Sequence, residues 1–297
     1  MSICDAKLSL ADPQSIRALA IDLDGTVLTP EAVLTGRTVR AIRSCALRGI
    51  RIIITTGRAI EAAESFRSAF CAEGPMIYYN GAVLVDMPGN KILNTTLLDK
   101  KAAEFCVDLA REMGMYCQLY LPNGDFHGGN SEIKIPLLAE LDSPHRQWYY
   151  KITGMLSELA DLKEALGHPG LQGCVKTMFL AEPGDLPALR RKLEERFNGT
   201  VCIAQTHQPI LEVTDAKATK GHGLNFVMDN CSIKKEEVFA FGDAENDLPM
   251  FSAAGFSIAP SNAKDAVKAA ADIVVGSNAE DGVAAFLEEF FNLETVK

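Results

Sequence analysis

Ile16-Arg17-Ala18-Leu19-Ala20-Ile21-Asp22-Leu23-Asp24-Gly25-Thr26 is a short apolar run that stops on two aspartates and a glycine. A run of this length bounded by turn-forming residues reads as a β-strand buried on both faces. Two further runs have the same form. Gly49 to Ile54 ends in Thr55-Thr56-Gly57-Arg58, and Glu237 to Phe241 ends in Gly242-Asp243-Ala244-Glu245-Asn246-Asp247. Between the first two lies Thr35 to Arg48, whose Val39, Ile42, Cys45 and Ala46 fit one helical face. Strand, helix, strand at this spacing is a βαβ unit, and near-continuous apolar strands favour a parallel sheet covered on both faces. All three polar clusters then fall at the carboxyl ends of strands, where open α/β sheets place ligands.

The middle of the chain has a different texture. From about Val83 to Val213 the pattern predicts helices over Asp99–Met113, Ser157–Leu166 and Asp185–Phe197. Strands are expected over Tyr116–Leu121, Cys174–Leu180 and Val201–Ala204, with repeated Gly, Asn and Pro breaks. Such a segment can form an α+β layer of its own. Thr219-Lys220-Gly221 then opens a helix to Met228, and the Gly242 cluster returns to the first texture. The 297 residues suit about two domains at ~150 residues each.

With 29 Lys plus Arg against 39 Asp plus Glu, the net charge of −10 speaks against nucleic acid and anionic membrane surfaces as partners. The eight cysteines are scattered without a C-x-x-C pair, as expected of buried thiols in a reducing compartment. Met1 to Pro13 lacks the layout of a secretory signal, and no apolar run approaches the ~18 residues of a membrane helix. A soluble, cytoplasmic protein is expected.

Asp22 and Asp24, two residues apart in an extended chain, point the same way. Paired acids repel unless a cation separates them, and a hard divalent ion with oxygen ligands is the natural one. A turn with two helix-capping carboxylates is the plainer alternative. A calcium EF-hand loop fits poorly, since Gly25 is fourth and Val33 twelfth where that loop needs Gly sixth and Glu twelfth. Asp243 could complete a magnesium site, with Asp247 orienting a ligand or Lys220 from behind; a simple helix start would read the same. Thr56-Gly57 offers a hydroxyl and an open backbone N–H, the parts that cradle a phosphate oxygen. Lys220 stands at a helix start, where it opposes the macrodipole by a few tenths to about 1 kcal/mol unless an anion lies nearby.

In order, Asp22-Leu23-Asp24-Gly25-Thr26, Thr56-Gly57-Arg58, Lys220-Gly221 and Gly242-Asp243-x-x-Asn246-Asp247 resemble the four motifs of haloacid dehalogenase-like (HAD) phosphohydrolases. Asn80-Gly81-Ala82, Asn262-Ala263 and Ser277-Asn278-Ala279-Glu280-Asp281-Gly282 resemble the Cof-type subgroup, although Ala259-Pro260-Ser261 stands where many members have Met-Gly. Ser277 with Glu280 also satisfies a helix capping box, the structural reading preferred there.

The resemblance implies a Rossmann-like parallel-sheet core domain, residues 1–82 and 214–297, with an α+β cap domain, residues 83–213, inserted between the second and third motifs. It implies a Mg²⁺-dependent phosphatase acting on a small phosphomonoester, expected to be a sugar phosphate or related metabolite. Asp22 would be the nucleophile that becomes an aspartyl-phosphate, and Asp24 the acid and then the base. Mg²⁺ would be held by Asp22, the Asp24 carbonyl and Asp243. Thr56, Gly57, Lys220, Asn246 and the Leu23 backbone would grip the phosphate, with Asp247 supporting the metal or Lys220. Arg58 would reach the substrate or pair with a core carboxylate. In the cap, Tyr120, Asn123, Asp125, His127, Trp148 and Lys151 are specificity candidates, although a Trp-Tyr-Tyr run more often packs in a core or interface. A phosphosugar mutase using the same aspartyl-phosphate, and a non-catalytic metal- or phosphometabolite-binding regulator, are the alternative readings.

Overall fold

The computed structural model describes residues 12–122, 135–207 and 209–293. Asn123, Asp125 and His127, named among the specificity candidates, lie outside the described residues, as does Cys4.

The chain divides into two compact units, each described by itself: one holds the residues through Gly81, Val85–Pro88 and those from Thr219 on, and the other holds Ala82–Leu84 and Gly89–Ala218. The second change-over falls at Ala218, later than residue 213, for a local reason. The strand Ile210–Asp215 pairs on both sides within the second unit's sheet, and the Thr214 hydroxyl then donates to the Ala218 carbonyl.

The first unit is built on a five-stranded parallel sheet. Its spatial order is Ile273–Val275, Phe256–Pro260, Val238–Phe241, Ala18–Ile21, Arg51–Ile54. The Ala18 strand is buried throughout, as its unbroken apolar run requires. Register sets the height of the loops. Ile21 is level with Phe241 on one side and with Ile54 on the other. The three strands therefore end in step, and Asp22, Thr55 and Gly242 each begin a loop at the same height.

Thr35 caps the helix Gly36–Leu47 by accepting from the Thr38 N–H. Its buried face is Thr38, Ala41, Ile42 and Cys45, turned slightly from the expected Val39 and Ala46. Phe239 meets Phe256, Phe290 and Phe286 at ring-centroid distances of 5.3, 4.9 and 5.8 Å, an aromatic patch on which the helix Gly282–Phe290 is seated.

The second unit carries a six-stranded sheet ordered Val201–His207, Ile210–Asp215, Lys176–Leu180, Tyr116–Tyr120, Leu137–Ala139, Glu158–Leu159. All its pairs are antiparallel except the last, which is parallel. Alternation sorts the two faces. Cys117, Leu119, Phe179, Leu211 and Val213 join the apolar cluster with the helices Lys100–Met113 and Leu186–Phe197. Tyr116, Gln118 and Tyr120 go to the other side.

The expected helix Ser157–Leu166 is corrected. Glu158–Leu159 pairs as an edge strand, and the helix begins at Leu162 behind the capping carboxylate of Asp161. An Asp at the N-cap stops helix propagation backward, because its side chain already takes the Lys163 and Glu164 N–H groups. The helix Pro144–Thr153 was not anticipated, since its apolar residues lie too far apart to mark a face. Among the described residues no helix is long and apolar enough to cross a membrane.

Candidate active site

Asp22 follows the strand Ala18–Ile21 directly and is almost fully buried. Its Oδ1 receives a hydrogen bond from Lys220 Nζ at 2.5 Å. The same ammonium donates to Asp247 Oδ1 at 2.6 Å. The Lys220 side chain is only 1% exposed, so this is a buried cation between two carboxylates. Lys220 is the first residue of the helix Lys220–Cys231, capped by Thr219. The helix end opposes a cation there, and the two carboxylates supply the compensation that the backbone does not.

Asp247 is fully committed. Its Oδ1 takes Lys220, while Oδ2 accepts from the Asp243 and Ala244 N–H groups, both at 3.0 Å. This holds the turn Gly242–Asp247 closed and aims the Asp243 side chain. Thr26 ties the two loops together, its hydroxyl lying 3.3 Å from Asp22 Oδ2 and 3.1 Å from Asp243 Oδ1. Gly25 between them has φ +75°, and a Cβ there would overlap the Asp243 carboxylate. The glycine is what lets the third loop approach the first.

Carboxylate oxygens of Asp22, Asp243 and Asp247 all lie within 4.8 Å of one another. Burial, against the pull of Lys220 and with the push of Asp247, Asp243 and Asp24, raises the Asp22 carboxyl well above its ordinary range. Burial and then Asp247 push Asp243 up to about 7, opposed by Lys220 and the Thr26 hydroxyl. For Lys220, burial alone would lower the pKa; Asp22 and Asp247 outweigh it and hold the ammonium charged. One lysine thus leaves the acidic cluster under-compensated. All of its ligand atoms are hard oxygens, the donor set that suits a divalent cation of the magnesium class, so these residues could hold a metal.

The second loop supplies Thr56 and Gly57. Thr56 Oγ1 accepts from the Arg58 N–H at 3.1 Å, which leaves its own proton to donate to an anion. A Cβ on Gly57 would lie 2.8 Å from Asn80 Oδ1. That oxygen accepts from Asn246 Nδ2 at 2.9 Å, so Asn80 steers Asn246. The buried Oδ1 of Asn246 has no hydrogen-bond partner among the described residues. Leu23 is buried, and its carbonyl accepts from the Thr26, Val27 and Leu28 N–H groups.

Asp24 differs from the other acids. Its side chain is 54% exposed, and Arg58 forks onto both of its oxygens, Nε to Oδ2 at 2.7 Å and Nη2 to Oδ1 at 2.6 Å. Of the two roles open to Arg58 in the sequence, this structure displays the pairing with a core carboxylate.

Asn262 and Asn278 are supporting residues whose function the sequence did not expose. Asn262 Nδ2 donates to the Gly25 carbonyl at 2.8 Å, its Oδ1 accepts from the Asn278 N–H at 2.9 Å, and Asn278 Nδ2 donates to the Leu28 carbonyl at 2.7 Å. They stitch the Asp22 loop at both ends. The Ser277 hydroxyl accepts from the Ala279 N–H and so caps the short turn Asn278–Glu280, a cap with Ala279 in place of the expected box with Glu280. Only their place in the Cof-like stretches signalled them.

Within the second unit, the face bearing Tyr116, Gln118 and Tyr120 carries a polar chain. Tyr116 donates to Gln118 Oε1 at 2.9 Å, Gln118 Nε2 donates to the Tyr120 hydroxyl at 3.0 Å, and the Tyr120 and Tyr149 hydroxyls are bonded to each other. Lys176 pairs with Glu212 while lying 4.6 Å from the Tyr120 ring centroid, both ions being buried. Of the specificity candidates, Tyr120 is buried, Trp148 half-buried and Lys151 exposed. In the Trp-Tyr-Tyr run only Tyr149 is fully buried.

Residues 19–287 match the family model of haloacid dehalogenase-like hydrolases. The chain is 28% identical over 289 residues to the 5-amino-6-(5-phospho-D-ribitylamino)uracil phosphatase YwtE of Bacillus subtilis, covering 93% of this chain and 99% of that one. It is 29% identical over 275 residues to the pyridoxal phosphate phosphatase YbhA of Escherichia coli, covering 91% and 97%. In fold it superposes with a TM-score of 0.79 on BT4131, a HAD subclass IIB sugar phosphatase, at 21% identity and coverage of 93% and 100%. With three motif loops beginning at the ends of in-step parallel strands, Lys220 of the remaining motif buried against Asp22 and Asp247, and a family match across nearly the whole sequence, the chain belongs to the haloacid dehalogenase-like hydrolases, in their Cof-type subgroup, among relatives that are phosphatases.

Proposed function

We propose that this protein is a Mg²⁺-dependent phosphatase that hydrolyses a small phosphomonoester, a sugar phosphate or related metabolite, through an aspartyl-phosphate on Asp22. The observation that carries the reading is the buried Lys220 ammonium held between Asp22 and Asp247 with Asp243 beside them. A carboxylate approaching a phosphate dianion meets strong repulsion, and positive charge fixed at the point of attack is what lowers that barrier. Lys220 supplies one such charge.

Asp22 and Asp243, with the Asp24 carbonyl, are the groups that would hold Mg²⁺; when bound, the ion supplies further positive charge to the phosphoryl oxygens. Thr56, Gly57 and Asn246, with the Leu23 backbone, bind the remaining phosphate oxygens. An Asp22 oxygen attacks phosphorus while the bond to the ester oxygen breaks, and Asp24 delivers a proton to that departing oxygen. Water then attacks the phosphorus of the aspartyl-phosphate and gives a proton to Asp24. The bond to Asp22 breaks, releasing inorganic phosphate and restoring both carboxyl groups. The second unit, Ala82–Leu84 with Gly89–Ala218, acts as the cap that selects the leaving group. Work in the cytoplasm belongs to this reading, and the scattered free thiols of the chain support it.

The test is release of inorganic phosphate from an aryl phosphate. Activity should require Mg²⁺, vanish on chelation and vanish in Asp22→Asn; full turnover by that variant sinks the mechanism. A panel of sugar, nucleotide and cofactor phosphates then ranks the substrate class.

A further inference from the structure

Arg58 is built into the first unit from three sides. Its backbone N–H donates to Thr56 Oγ1 at 3.1 Å, its Nη1 to the Ala62 carbonyl at 3.2 Å, and its guanidinium carbon lies 5.0 Å from the Phe66 ring centroid. A guanidinium so anchored presents its fork in one direction, and in that direction stands Asp24. Both Asp24 oxygens are taken, at 2.6 and 2.7 Å. Asp24 is otherwise a half-exposed side chain in a turn, so its carboxylate owes its position to this pair.

We infer that Arg58 is the positioning residue of the proton-transfer step: it holds the Asp24 carboxylate at the edge of the phosphate site, and the leaving oxygen is protonated from an Asp24 placed by that fork. The inference rests on the phosphatase reading, in which Asp24 moves the proton. Arg58 itself transfers nothing. Both Asp24 oxygens accept from the fork, so proton delivery from this carboxyl group requires one of the two bonds to open. The other is then what keeps the carboxyl group within reach.

The consequence lies in leaving-group dependence. An aryl phosphate departs as a stabilised phenolate and needs little protonation, whereas an alkyl phosphate departs as an alkoxide and depends on the acid. Losing the fork removes only the acid's placement, and a misplaced catalytic group costs up to about 100-fold. In Arg58→Gln, kcat for an alkyl phosphate should fall about 10- to 100-fold more than kcat for an aryl phosphate, with KM for both little changed. Arg58→Lys keeps the charge but lacks the fork, and should recover only part of the alkyl turnover. The pair is partly exposed, so thermal unfolding should show both variants folded.

Asp24→Asn, measured alongside, separates the two ideas. If it shows the alkyl-selective loss and Arg58→Gln does not, the positioning role is overturned and the phosphatase reading stands. If Asp24→Asn shows no such selectivity, the proposed acid is wrong. An equal rise in KM for both substrates in Arg58→Gln also overturns the inference, since it means Arg58 grips the phosphate directly. With the inference correct, the Asp24→Asn, Arg58→Gln double variant loses no more alkyl turnover than Asp24→Asn alone.

Discussion

Lys220 Nζ and Asp22 Oδ1 lie 2.5 Å apart although 198 positions separate them in the chain. The contact joins the end of the strand Ala18–Ile21 to the start of the helix Lys220–Cys231, which follows the second unit in the chain, and it sets the charge balance of the site. Asp247, on the other side of the same ammonium, makes the arrangement a buried triad.

Lys220→Met should therefore cost both activity and stability. Removing one electrostatic stabiliser of a transition state costs roughly 10²–10³ in kcat. Leaving Asp22 and Asp247 buried without their cation destabilises by about 3–5 kcal/mol. Steady-state turnover and denaturant unfolding check the two effects; turnover within a few-fold of the parent would remove Lys220 from the mechanism.

Metal-free stability should depend on pH through Asp243. Burial and Asp247 hold its native carboxyl at about 7, above its ordinary 3.8. A raised carboxyl binds its proton more tightly in the native state, so its stabilisation is present at low pH and is lost as pH rises toward 7. Asp22 shifts in the same direction. In the presence of chelator, Tm should fall from about pH 5 to about pH 8, and Mg²⁺ should raise Tm more at the higher pH. Asp243→Asn should flatten the slope; an unchanged slope in that variant would assign the effect to other groups.

In the second unit, the Lys176–Glu212 pair offers a double-mutant cycle. Both side chains are at most 5% exposed, and Lys176 also lies over Tyr120. Breaking a buried pair from one side costs about 3–5 kcal/mol, while replacing both ions with apolar groups is far milder. Lys176→Met and Glu212→Leu should each lower the unfolding midpoint, and the double variant should regain much of the loss. Strict additivity would show that the two charges do not act as a pair.

Thiol labelling should separate the cysteines. Burial pushes Cys45 and Cys106 up to about 12. At pH 8 each would be thiolate to only ~10⁻⁴, and thiolate is the reactive form. Cys71 is exposed. Iodoacetamide at pH 8, read by mass spectrometry, should modify Cys71 in the native protein and reach Cys45 and Cys106 only in denaturant.

Much of this site is written locally in the chain. Asp22-Leu23-Asp24-Gly25-Thr26 and Gly242-Asp243 carry their meaning because a buried parallel strand needs an apolar run, and such a run must end at its carboxyl edge in residues that turn. Thr35 and Asp99 announce helix starts by the same local chemistry, whereas the start behind Asp161 showed only in the structure. Sequence alone therefore determined the α/β class, the segments that bear the chemistry and their order. It could not determine partners. That Arg58 clasps Asp24, that Asn80 steers Asn246, that Asn262 and Asn278 stitch the Asp22 loop and that Lys220 is buried between two acids are contacts across 16 to 250 positions. Such contacts depend on which strands are neighbours and in what register. Ile21 level with both Phe241 and Ile54 is the fact that brings the three loops together, and register is a property of the assembled sheet.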